Sequence, residues 1–138
     1  MKIFNATADE REDDVALGRA AGLTRPWSDP VADFDMALRN PKSTVLAARE
    51  GGGPAATIMA GFDGHWGWIY HLAARADLRR KGIARVMMKS AEQWLAEQGC
   101  PKVQPMVRSE NEGTLGFYAA PGYSVQDVNT LGHRLDPR

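Results

Sequence analysis

Sulfhydryls are nearly absent from this chain: Cys100 is its one cysteine. A single thiol closes no internal disulfide, which excludes a disulfide-stapled secreted scaffold and fits a reducing compartment. Surplus charge is missing too, since 17 Lys plus Arg stand against 17 Asp plus Glu, a formal net charge of zero. Electrostatic nucleic-acid binders normally carry a positive excess, so no nucleic-acid partner is expected. No apolar run approaches the ~20 residues that cross a bilayer, and no membrane association is expected. The opening Met-Lys-Ile-Phe-Asn-Ala lacks an apolar stretch of signal-peptide length, which makes a cytoplasmic protein the expectation. His65, His71 and His133, taken with Cys100, lack metal-ligand spacing, so no metal is expected. Repeats, low-complexity tracts and linkers are missing as well.

What is present is an ordinary globular balance. The 138 residues are 43% hydrophobic and 25% charged, enough to bury a core and too apolar for disorder. A single domain over residues 1–138 is expected. A short strand at Lys2–Asn5 precedes Thr7-Ala8-Asp9-Glu10, a capping box that predicts a helix start. Glu10, Glu12, Asp13 and Asp14 then read as a solvated acidic face, with attraction of a cationic acceptor as the alternative. Asp29 followed by Pro30 predicts a second helix, ended at Asn40-Pro41. Strands are predicted at Thr44–Arg49, Ala56–Phe62 and Trp66–Ala74, the last two joined by a two-residue Asp63-Gly64 turn. Ile83, Val86, Met87, Ala91, Trp94 and Leu95 recur at helical spacing within Gly82–Gln98. A strand at Val103–Val107, a short helix at Thr114–Ala119 and strands at Tyr123–Val128 and Leu131–Leu135 complete a mixed α/β order around one sheet.

The segment with most chemistry is Arg79-Arg80-Lys81-Gly82-Ile83-Ala84, between a strand and the best helix. Helix N-termini present unpaired N–H groups and partial positive charge. A glycine and a small alanine let a ligand approach that backbone, and three cations precede it. Such a turn suits a phosphate or diphosphate, although a basic loop before an ordinary helix looks the same. It is neither a P-loop nor a dinucleotide-fold glycine motif.

Arg79-x-x-Gly82-x-Ala84 resembles the Arg/Gln-x-x-Gly-x-Gly/Ala signature of the GNAT superfamily of acetyl-coenzyme A-dependent N-acyltransferases. Asn111, Phe117, Tyr118, Gly122 and Tyr123 match a second family pattern, Asn-x-x-Ala-x-x-Phe-Tyr-x-x-x-Gly-Phe/Tyr. The element order is similar to the whole fold, and Arg25–Pro30 resembles a loop of small single-domain bacterial members. Three departures are visible: Ala76-Asp77 replaces a usual Pro-Glu pair, Thr114 replaces Ala, and Pro121 replaces Leu.

The resemblance implies a central, mostly antiparallel twisted sheet, splayed in the middle and flanked by about four helices. It implies acetyl-CoA as cosubstrate, its diphosphate held by the main chain of Arg79, Arg80, Lys81, Gly82, Ile83 and Ala84. Leu72 and Ala74 fall where the family's strand pairs with the pantetheine arm, beside a bulge. Direct acetyl transfer to a primary amine is implied, the acceptor being a small molecule or a peptide. Tyr118 occupies the position of the general acid near the coenzyme sulfur, while packing on the sheet is its plain alternative. Asn111 would order the loop or touch the coenzyme, or simply cap a turn. Many family members carry a strand Glu as base; Trp66–Ala74 has none. His71 is the candidate base, with Tyr70 on the opposite face by alternation, and a water chain serves equally. Trp27, Trp66 and Trp68 are candidates for an acceptor pocket or for core. A CoA-binding regulatory module without turnover is the competing function, and sheet-edge homodimers are common in such families.

Overall fold

The three strands expected mid-chain form the centre of a five-stranded sheet. The computed structural model describes residues 2–23, 29–78, 81–106 and 122–136. The chain divides into two compact units, Met1–Met106 and Val107–Arg138. In the first, the order is β1 (Ile3–Asn5), α1 (Arg11–Ala20), α2 (Pro30–Arg39), β2 (Ser43–Glu50), β3 (Gly53–Phe62), β4 (Gly67–Ala74), α3 (Ile83–Glu97) and β5 (Val103–Pro105), with single helical turns at Ala8–Glu10 and Ala76–Leu78. The sheet runs β1-β2-β3-β4-β5. Its first three pairings are antiparallel, and β4 with β5 is parallel. A parallel neighbour needs a crossover connection, which α3 supplies.

Alternation along the strands divides the core between the sheet's faces. Val45 and Ala47 of β2 join Phe34 and Ala37 of α2 and Ala6 in one cluster, with Val15 and Met59 packed against it. α3 packs against β3 and β4. Its Met87 and Leu95, with Ile58 of β3, are the largest fully buried side chains. Gly67 opens β4 under the end of this helix, because a Cβ there would lie 2.7 Å from Cys100 Sγ and 2.9 Å from Leu95 Cδ1. Any larger residue would force the Cys100 and Leu95 side chains to shift.

Local chemistry explains both the agreements and the corrections. Asp29 caps α2 as expected, its Oδ1 accepting from the Ala32 N–H at 3.1 Å, with Pro30 in the first turn. The Thr7 capping box does not form: Thr7 makes no side-chain cap. Glu10 instead reaches Arg49 Nη1 at 2.9 Å, an ion pair that outcompetes a backbone amide for the carboxylate. Asp63-Gly64 is not a two-residue turn. β3 ends at Phe62 and β4 begins at Gly67. Asp63 organises the connection, its Oδ1 accepting from the His65 and Trp66 N–H groups at 2.7 Å and its Oδ2 from Trp68 Nε1 at 2.9 Å. These donors, the Trp68 indole first, hold the Asp63 carboxyl below its usual range.

Three α-helices lie among the described residues rather than about four. The expected helix at Thr114–Ala119 falls outside them. The strands expected at Tyr123–Val128 and Leu131–Leu135 are absent. That stretch holds no regular element, and Val125, Val128, Leu131 and Leu135 are all exposed. Alternation predicts a strand only where a neighbour supplies backbone partners.

Candidate active site

β4 carries the irregularity on which the site is built. Thr57 pairs with Ala73 and Met59 with Tyr70, so two steps along β3 match three along β4. The extra residue is a β-bulge. His71 absorbs it with φ of +53°, the one left-handed non-glycine backbone among the described residues. That conformation costs roughly 1–3 kcal/mol outside glycine and persists because ladder pairs on both sides hold it. The bulge overturns the expectation that Tyr70 and His71 face opposite ways. Tyr70 registers with Met59, His71 lines the same cleft as Met59, and the two rings lie 6.5 Å apart. Burial, aided by the Asp63 charge, pushes the Tyr70 hydroxyl up from its ordinary value, so it remains a proton donor rather than a base.

Among the described residues the β4–β5 pairing ends before the bulge. The β4–β5 ladder runs from Gly67–Val103 only to Ile69–Pro105. Pro105 has no N–H to extend it. Leu72 and Ala74, both half-buried, follow the bulge on β4. Arg75 then clamps the exit. Its guanidinium grips Asp77 at 2.7 and 3.3 Å and the Glu50 carbonyl at 3.1 Å, while its N–H donates to the Ala55 carbonyl at 2.8 Å. The residue in place of the usual Glu is thus spent on fixing the loop.

The turn into α3 ends on Gly82, with φ of +82° and no side-chain cap. A Cβ there would meet nothing within 4 Å, so the space beside this backbone is open. The Lys81 N–H already donates to the Leu78 carbonyl at 3.3 Å. Among the described residues, no backbone acceptor is seen for the Gly82, Ile83 and Ala84 amides at the head of the helix. The Ile83 side chain is buried at 4% exposure, leaving only its main chain for a ligand, whereas Lys81 and Gly82 are exposed. An open glycine, uncapped amides and a cationic approach fit a diphosphate. Arg79, Arg80, Asn111, Tyr118 and Trp27 lie outside the described residues.

Asp14 is the residue that sequence reading misplaced. Within the expected solvated face, Glu12 and Asp13 are exposed and Glu10 is half-buried, but Asp14 is buried. Helical spacing carried the signal, because Asp14 shares a stripe with Leu17 and Gly18 on the inward side of α1. Desolvation first, then the Glu10 and Asp13 charges, push its carboxyl up to about 7, against a lowering by Arg49. Asp14 and His71 line one cleft of about 60 Å³ between α1, α2 and the sheet. Trp66 and Trp68 do not line it: Lys102 Nζ sits 4.9 Å over the Trp66 ring and Trp68 binds Asp63. Among the described residues no group of three or more His, Cys, Asp or Glu is placed to hold a metal ion.

Comparison with known proteins agrees with this architecture. The chain is 36% identical to an acetyltransferase of Pectobacterium atrosepticum over 98% of its own length and 96% of the relative's. An aminoglycoside N-acetyltransferase crystallised with CoA superposes with a TM-score of 0.82 at 14% identity, over 98% of this chain and 95% of that one. Glucosamine-6-phosphate N-acetyltransferase from Arabidopsis thaliana gives 0.75 at 18% identity, covering 98% of each chain. At such identities the two structures speak for the fold alone. The model of the acetyltransferase (GNAT) family matches residues 8–123, and this chain, with its bulged β4 and glycine-led α3, belongs to that family.

Proposed function

We propose that the protein transfers the acetyl group of acetyl-CoA to the nitrogen of a primary amine, as one catalytic domain over residues 1–138. The carrying observation is the bulge at His71, one short loop away from the uncapped turn at Gly82. Gly82, Ile83 and Ala84 would hold the coenzyme's diphosphate by main-chain N–H groups, with Arg79, Arg80 and Lys81 adding charge around it. Leu72 and Ala74 would pair with its pantetheine arm as a neighbouring strand does, and Asn111 would order the adjoining loop. When bound, acetyl-CoA supplies an activated acyl group. The chain's own work is to aim a main-chain N–H at the bulge toward developing negative charge and to manage protons. His71 stands at the bulge as a base for the acceptor ammonium, and Tyr118 as the acid for the departing sulfur. The family match runs from the first compact unit into the second, which supports a single domain. The lone cysteine favours the cytoplasm.

One observation favours a second reading, a CoA-binding regulatory module: Gly67–Ala74 contains no glutamate. Both readings require CoA binding, and only the first requires turnover. A screen of amines against acetyl-CoA, with thiol release as readout, separates them for wild type and Tyr118→Phe. Release from wild type and a slower rate in the variant support the acid role. Equal rates remove Tyr118 from it, and silence across a broad screen moves the weight to the regulatory reading.

A further inference from the structure

The cleft between α1, α2 and the sheet holds a buried acid whose Oδ2 has no hydrogen-bond partner among the described residues. That residue, Asp14, is 6% exposed. An unpaired buried carboxylate is costly, and proteins normally give one a cation or hydrogen bonds. The nearby cation is engaged elsewhere. Arg49 Nη1 binds Glu10 at 2.9 Å and Asp13 at 3.3 Å, and its Nη2 donates to the Gly52 carbonyl at 3.1 Å. Among the described residues, the remaining charged and titratable groups around Asp14 are Glu10 and Asp13 from its own side, Asp33 from α2 and His71 from β4. The cleft thus offers carboxylates and one imidazole.

Apart from Thr57 its remaining walls are apolar, with Val15, Phe34, Val45 and Met59 facing the same space. The volume of about 60 Å³ is well below the ~150 Å³ that admits benzene in an engineered cavity. A short alkyl stem fits such a space. A hydroxylated amine would leave its hydroxyl groups desolvated against Val, Phe and Met. His71 ties the cleft to the bulge, so a nitrogen seated there lies at the strand where the acyl donor is expected.

Resting on the acetyl-transfer reading above, we propose that this cleft is the acceptor's seat and selects short aliphatic primary amines, or the aminoalkyl end of a larger molecule, with Asp14 receiving the ammonium. Asp14 is then the residue that sets specificity for a cation. Binding restores its ionised state, so a proton leaves the protein wherever the empty site holds one.

Butylamine, 1-butanol and glucosamine titrated calorimetrically into the intact protein test this, alongside CoA. Butylamine should bind, whereas the neutral alcohol and the hydroxylated ring should not. Near about pH 6, heats measured in buffers of different ionisation enthalpy should report a released proton, and the release should fade by about pH 8.5. Asp14→Asn should weaken butylamine about 10- to 100-fold while leaving the CoA Kd within about twofold. The wild-type proton release stands even if that variant fails to fold. Equal binding of butylamine and glucosamine, unchanged affinity in a folded Asp14→Asn, or no linked proton overturns the proposal. If wild type binds CoA and releases thiol only with amines that lack a short aminoalkyl end, the proposal falls and the acetyl-transfer reading survives. If it binds no CoA, that reading falls as well.

Discussion

Replacing Gly82 with valine isolates the turn at the head of α3. In the empty protein the new side chain clashes with nothing, because even a Cβ finds no neighbour within 4 Å. The stability cost is therefore conformational. A left-handed backbone costs an ordinary residue about 1–2 kcal/mol, and β-branching raises it. One kcal/mol lowers the melting temperature by roughly 2–8 °C in domains spanning this size. The binding cost is a separate matter. A valine at this position fills the space through which a diphosphate would approach the Gly82, Ile83 and Ala84 amides. Losing two hydrogen bonds to a charged oxygen, each worth about 1.5–3 kcal/mol, predicts about a 10²- to 10⁴-fold rise in the CoA Kd. Gly99 supplies the matched control. It lies just past the far end of the same helix, at φ of +87°, also with nothing within 4 Å of a Cβ. Gly99→Val should lose similar melting temperature and keep its CoA Kd within about twofold. Calorimetric titration of CoA and thermal melts on the two variants decide it. A CoA Kd that stays put in Gly82→Val, or rises equally in both, refutes main-chain recognition at this turn.

Other expectations concern the scaffold and the buried acid. Leu95→Ala, at a fully buried position of α3, should cost about 2–5 kcal/mol in urea unfolding, and a smaller loss would mean that the site collapses around the cavity. Asp29→Ala should cost about 1 kcal/mol by removing the α2 cap, with Asp29→Ser recovering most of it. The Asp14 carboxyl, at about 7 in the folded protein against 3.8 ordinarily, keeps its proton on folding. Its contribution is fully present below about pH 4. It declines as the unfolded chain ionises and is lost once the pH passes about 7, a change on the order of 2–4 kcal/mol. Urea midpoints of wild type minus Asp14→Asn should therefore fall across that window, and parallel curves would show that Asp14 is not the buried acid described.

Local signals were readable wherever one short-range interaction decides the outcome. Asp29-Pro30 opened a helix because cap and φ restriction act within a turn, and α3 followed its apolar spacing almost to the residue. Thr7 failed because Glu10, needed for the reciprocal cap, had a long-range competitor in Arg49. His71 went astray for a related reason: strand periodicity presumes an unbroken ladder, and the bulge arises from how β3 and β4 register. Asp14 was hidden by composition, since neighbouring acids suggest solvent and only the helical phase turns one of them inward. The glycine-led turn was plain because its chemistry is held in consecutive residues. The cleft was not, because α1, α2 and three strands each contribute a piece.

The additional residue in β4 also constrains how this gene can change. Two steps on β3 match three on β4 between the Met59–Tyr70 and Thr57–Ala73 pairs, so deleting one codon between Tyr70 and Ala73 would restore an even ladder while the flanking pairs kept their faces. Such a deletion would yield a straighter strand that satisfies its neighbour better. It would also carry His71 away from Asp14 and erase the misfit. Length in this stretch therefore sets the shape of the cleft, and insertions or deletions among descendants should accumulate at the Gly51–Gly53 turn instead.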